Sequence, residues 1–188
     1  MVTVVLFDTV AAMSGTDRAF ATYPVTSLPV LEGENLWRAQ GYLDLAAVEA
    51  VEATCLRSKC GSVVVGGGRV LGRGSNSLPG GVAPTSCRKE DGSLAAGFKS
   101  DRTCCVHAEV RAIMGAVTSG EDVRDATLFF TRVDAEGARV PSGAPYCTIC
   151  SKFALDAGVA FFVLEHDYGV VLYPTWLYNE VSFAYGQV

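Results

Sequence analysis

Two short runs in the sequence carry side chains able to do chemistry together: His107-Ala108-Glu109 and Cys147-Thr148-Ile149-Cys150. One imidazole and two thiolates are the three protein donors of a catalytic zinc, with a fourth position left for water. Zn²⁺ and two thiolates sum to zero charge, and water on such an ion can ionise near pH 7. Glu109, near the metal but not on it, would then carry protons. Other readings compete with this one. A Cys-x-x-Cys alone could be a redox pair or half of a structural zinc knuckle. Cys104 or Cys105, just upstream of His107, could supply a fourth donor and close the site. A His-x-Glu alone carries almost no weight. Both runs together, each at an expected helix start, favour the catalytic arrangement, because free N–H groups and the helix dipole stabilise thiolate there. The other histidine, His166, follows an apolar run and reads as a surface or satisfied core residue.

These groups need a scaffold. Leu43, Ala46, Ala47, Ala50, Val51 and Thr54 recur at three- and four-residue steps, which predicts a helix from Tyr42 to Leu56. Gly61–Val65 and Arg69–Gly74 flank a triple-glycine turn and predict a hairpin. Residues 75–103 form a long loop, and loops of that length within a domain are usually functional. A second helix is expected over His107–Val117, a strand over Asp125–Thr131, and a third helix over Cys147–Ala157 with Gly158 as its stop. Val159–Leu164 is apolar throughout, so it predicts a strand covered on both faces. Val170–Tyr173 follows as a short strand, and the last dozen residues as a helix. Strands alternating with helices give a three-layer α/β/α sandwich around a mixed sheet of about five strands. Residues 1–38 read as an N-terminal extension packed on a domain spanning 39–188. Within that extension, Met1–Phe7 could be a strand and residues 14–35 a wrapping loop.

The chain has 188 residues, 49% of them hydrophobic and 19% charged, with a net charge of −5. That excludes disorder, which goes with few apolar residues and much charge. It also argues against duplex nucleic acid as a partner, since no basic stripe is present to displace counterions. The acidic balance likewise disfavours a nucleic-acid editor. No run approaches 18 apolar residues, so no membrane span is expected. Met1–Phe7 lacks a basic leader and Asp8 interrupts it, so no secretory signal is expected. Seven cysteines is an odd count, and clustered thiols in a cytoplasmic chain point to metal or catalysis rather than disulfides. Cys55, Cys60, Cys87, Cys104 and Cys105 read as buried small hydrophobes, with a second structural metal site as the alternative.

From about Tyr42 to Tyr173 the chain resembles the cytidine deaminase superfamily, and most of all its deoxycytidylate (dCMP) deaminase branch. The resemblance rests on His107-Ala108-Glu109 with the Cys147/Cys150 pair, on Cys104-Cys105-Val106-His107-Ala108-Glu109, on Thr54–Val65, and on Gly74-Ser75-Asn76-Ser77-Leu78-Pro79-Gly80. It implies zinc held by His107, Cys147 and Cys150, with Glu109 as the acid/base. It implies Asn76 on the substrate sugar, Arg57 facing a 5′-phosphate, and backbone groups at the helix starts, Ala108 and Tyr146 among them, on the base edge. The implied activity is hydrolytic deamination of a cytosine nucleotide or nucleoside by a homo-oligomer. The family pattern has Pro directly before the first Cys, whereas this chain has Pro145-Tyr146-Cys147. That departure motivates an alternative heterocycle: guanine, a pterin-like ring or a modified base. A non-catalytic zinc module is the alternative from another class.

Overall fold

A computed structural model describes residues 28–87, 90–92 and 104–185. In chain order the elements are α1 (Gly33–Val51), β1 (Lys59–Gly66), β2 (Arg69–Ser75), a 3-10 turn (Pro79–Gly81), α2 (Ala108–Thr118), β3 (Thr127–Val133), β4 (Arg139–Val140), α3 (Thr148–Ala157), β5 (Phe161–His166), β6 (Gly169–Pro174) and α4 (Thr175–Ala184). The strand expected at Met1–Phe7 and most of the N-terminal extension lie outside the described residues, as does most of the 86–102 loop.

The sheet order is β2-β1-β3-β5-β6, with β4 paired to β3. Only β3 and β5 run parallel, and α3 makes the crossover between them. Side chains alternate across the strands, and both faces are apolar. Val63, Val65, Phe129 and Val163 pack with Ala39, Leu43 and Ala46 of α1. Val64, Leu128, Phe130 and Phe162 pack on the opposite face with Ala108, Ala112 and Ile113 of α2, Ala154 of α3 and Tyr178 of α4. The result is three layers, α1 over the sheet over α2, α3 and α4. Coverage on both faces is why the residues leading through β5 read as an apolar run, and why Val63, Val64 and Val65 of β1 and Leu128, Phe129 and Phe130 of β3 show no polar alternation.

The helices sit unusually close to the sheet. A Cβ on Gly61 would overlap the Ala46 carbonyl oxygen of α1, and one on Gly72 would overlap the Ala112 carbonyl oxygen of α2. Gly74 repeats the contact one residue pair along, against Ala108 and Ala112. Glycine on the strand and alanine on the helix let the two backbones touch, and this seats the first turn of α2.

Several boundaries differ from expectation. α1 begins nine residues before Tyr42 and ends at Val51, with Lys59 Nζ donating to the Val51 carbonyl at 3.0 Å. Ala39 extends its buried stripe by a turn, while Trp37, 74% exposed, falls off that stripe and hides the period. The segment before it pairs with β6, Leu31 N–H donating to the Val170 carbonyl at 2.8 Å. β4 was not expected at all.

Candidate metal centre and active-site pocket

α2 and α3 both start at one place on the sheet, and the chemistry sits at those two starts. His107 is the residue just before α2, with extended backbone (φ −72°, ψ 151°). Glu109 lies inside the first turn. Residues two apart on a helix face away from one another, but His107 is not helical, so both side chains line the same pocket. Cys147 stands in the equivalent position before α3, and its thiol accepts the Cys150 N–H at 3.3 Å.

These three donors converge. His107 Nδ1 lies 3.2 Å from Cys147 Sγ and 3.1 Å from Cys150 Sγ, and the two sulfurs are 2.9 Å apart. All three ligand atoms fall within 4.8 Å of one another, and both cysteines are free. One ion could touch all three at the 2.0–2.3 Å bond lengths of zinc. Among the described residues this is the one such group of His, Cys, Asp and Glu, so neither Cys104 nor Cys105 joins it as a fourth donor.

The electrostatics point the same way. The hydrogen bond with the Cys150 thiol, and then His107, pull Cys147 down to about 4, against its burial. Burial, then the bond to Cys147, pushes Cys150 far up. Two buried thiols this close hold one proton between them, and a divalent cation removes the repulsion that keeps it there. Glu109 is 5% exposed. Burial raises its carboxyl pKa, the neighbouring Cys147 charge adds to the rise, and His107 opposes it. A carboxyl whose proton is held more tightly than in water, beside the donor cluster, is suited to taking and returning a proton.

The pocket beside this cluster has a volume of about 120 Å³, where one water needs about 10–15 Å³. It has room for a planar ring. Ala108, Asn76, Phe130, Cys60 and Tyr146 line it, together with the solvent-exposed Arg57. Asn76 is committed twice to the backbone: its Oδ1 accepts from Cys60 N–H at 2.9 Å and its Nδ2 donates to the Ser58 carbonyl at 2.8 Å. One N–H and one lone pair remain for a ligand. The Arg57 guanidinium is 4.0 Å from the Glu90 carboxylate, with over half of each side chain in solvent. His166 is satisfied by the Tyr173 hydroxyl at 2.8 Å.

The five remaining thiols correct the expectation of burial. Cys60 alone is buried, its pKa pushed by that burial to about 11. Cys55, Cys87, Cys104 and Cys105 are half-buried on the pocket wall. Cys105 is raised to about 12, first by burial and then by the Cys55 and Cys104 thiols.

Three residues here escaped the sequence reading. Arg111 Nη2 donates to the Leu78 carbonyl at 2.8 Å and to the Ser77 carbonyl at 3.4 Å, tying the Asn76 loop to α2. Its spacing, one turn after His107, was the available signal. Tyr178 of α4 is buried behind the cluster. Tyr185, just after α4, meets the Tyr146 ring at a centroid distance of 5.8 Å. Nothing local in the sequence links either tyrosine to the site.

Residues 38–165 match the family described as the cytidine and deoxycytidylate deaminase zinc-binding region. The deoxycytidylate deaminase of Mycobacterium phage D29 is 38% identical over 97 residues, which are 48% of this chain and 74% of that one. The deoxycytidylate deaminase of Schizosaccharomyces pombe is 28% identical over 78 residues, 40% of this chain and 24% of that one. A crystal structure of the dCMP deaminase of cyanophage S-TIM5, in complex with dCMP and dUMP, aligns at a TM-score of 0.48 and 28% identity over 65% of this chain and 76% of that one. With its donor cluster and most of its length inside the matched span, the chain belongs to the cytidine and deoxycytidylate deaminases, a family of zinc-dependent hydrolytic deaminases.

Proposed function

We propose that the protein hydrolyses the exocyclic amine of a cytosine nucleotide of the dCMP type, releasing ammonia and the uracil product. The observation that carries this is the meeting of His107, Cys147 and Cys150 beside the buried Glu109 carboxyl at one ring-sized pocket. In this reading those three side chains hold zinc, which supplies Lewis-acid polarisation of the attacking water. Glu109 takes a proton from that water and gives it to ring nitrogen N3 as the oxygen adds at C4; it then takes the proton of the new C4 hydroxyl and gives it to the amine, whose departure as ammonia leaves the C4 carbonyl. The backbone of Ala108 and the free N–H of Asn76 orient the base and sugar. The solvent-exposed Arg57 receives the 5′-phosphate by exchanging its long contact with Glu90 for a charge-assisted pair. A polar, paired Arg57 and a 38% identical deoxycytidylate deaminase support the nucleotide over the free nucleoside.

Two further parts of the reading have their own support. Trp37 of α1, Met114 and Val117 of α2, and Phe183 of α4 are exposed, which suits assembly as a homo-oligomer. Seven unbridged cysteines suit a reducing compartment such as the cytoplasm. Tyr146, where the family pattern places proline, favours a second reading in which the base is a different heterocycle. The test is ammonia release by zinc-loaded protein across cytosine, guanine and adenine nucleosides and nucleotides. dCMP turnover with a silent guanine and adenine panel supports the first reading. Turnover of another base alone replaces it with the second, and silence across the panel removes both.

A further inference from the structure

We propose that Tyr185, beyond the end of the last helix, is a positioning residue for substrate: it holds the Tyr146 ring as the outer wall of the base pocket, so that α4 sets affinity for the heterocycle. This deepens the deaminase reading above and rests on it.

Tyr146 lines the pocket together with Glu109, His107, Ala108 and Asn76. Tyr146 is 39% exposed, so this residue borders both solvent and the pocket that Glu109 lines. A flat aromatic face in that position is the natural partner of a planar heterocycle. Yet Tyr146 stands in the irregular segment before α3, in the residue before Cys147, with no helix or strand of its own to fix its side chain.

What the ring does have is Tyr185, at a centroid distance of 5.8 Å and an interplanar angle of 49°. This lies within the 4.5–7 Å range in which tilted aromatic pairs attract. Tyr185 is itself well placed to act as a prop. α4 is pinned to α3 by Ser151 Oγ donating to Asn179 Oδ1 at 2.8 Å and by Lys152 Nζ over the Phe183 ring at 6.0 Å. Since α3 also carries Cys150, the metal cluster and the prop belong to one packed pair of helices. At Tyr185 the backbone turns from helical to extended (φ −61°, ψ 124°). The ring therefore leaves the axis of α4 at the point where it meets Tyr146.

The pair is exposed on its outer side, so losing it costs little folding free energy. Its worth is in orientation, and aromatic pairs of this kind are worth a factor of about three to ten in an equilibrium constant. The experiment is steady-state kinetics on whichever substrate the panel identifies, with Tyr185→Ala, Tyr185→Phe, Tyr146→Ala and the double variant Tyr146→Ala/Tyr185→Ala. Thermal midpoints are followed alongside. The expected result is a rise of about three- to tenfold in KM for Tyr185→Ala with kcat within about twofold of wild type. Tyr185→Phe, which keeps the ring, restores the wild-type KM. The double variant is no worse than Tyr146→Ala alone, because the prop acts only through the ring it holds. An unchanged KM in Tyr185→Ala, or additive losses in the double variant, overturns the assignment while leaving the deaminase reading intact. A wild-type protein silent on the whole panel overturns both.

Discussion

The side-chain oxygen of Asn76 accepts the backbone N–H of Cys60 at 2.9 Å, which staples the end of β2 to the beginning of β1 from outside the sheet ladder. The same amide donates to Ser58. Asn76 is thus a structural residue whatever ligand it also meets. Asn76→Ala leaves a buried N–H and a carbonyl unpaired, so we expect a loss of about 1–3 kcal/mol. Denaturant unfolding of the two proteins measures it. A residue serving only as a sugar contact would leave that midpoint unmoved.

Separating the donors from the proton carrier requires two variants. Glu109→Gln should retain one zinc per chain and lose activity by a factor of about 10²–10⁴ or more. Cys147→Ala should lose the metal as well. Metal analysis beside an ammonia assay distinguishes them, and zinc loss in Glu109→Gln would place the carboxylate on the ion instead of beside it.

The glycine seam gives a prediction about reach. Gly72→Ala puts a methyl group into the Ala112 carbonyl of α2, so we expect destabilisation of about 1–3 kcal/mol. Because the displaced helix carries Glu109 and follows His107, zinc should also bind more weakly, as competition with a chromogenic chelator would record. Gly67, in the open hairpin turn with φ +56°, contacts nothing in the same way. Its replacement should leave zinc affinity alone.

Cys60 sets a limit at alkaline pH. Burial lifts its thiol from 9.0 to about 11. The unfolded chain therefore loses this proton first, and the stability the neutral thiol contributes is present below pH 9 and lost as pH rises through 11. The full amount is about 2–3 kcal/mol. Thermal midpoints between pH 8 and 11 should fall faster for the wild type than for Cys60→Ala. Parallel curves would remove Cys60 from the account.

Much of the scaffold and the whole donor set could be read from sequence for a common reason: both depend on local pattern. Cys147 and Gly158 mark the two ends of α3, and an apolar run bounded by turns marks β5. The candidate ligands sit at helix starts, where residue type and position coincide. What escaped depends on partners far along the chain. β4 is two residues long and exists only through its pairing with β3, so no period could reveal it. Cys55, Cys87, Cys104 and Cys105 look like core thiols by composition, yet the fold puts them on a pocket wall. The pairing of Tyr146 with Tyr185 arises only when α4 folds back along α3.

The bridge between Ser77 and Val106, with N–H to carbonyl distances of 3.3 and 2.9 Å, stands at the threshold of α2. It pairs Val106 directly before His107, which is itself extended, and α2 begins only at Ala108. If α2 wound one residue further back, the imidazole would swing to the far side of the axis from Glu109, and metal holding and proton carriage would be divided between two faces. In the proposed reaction, a backbone contact outside the donor set thus borders the one turn on which imidazole and carboxylate must stay side by side.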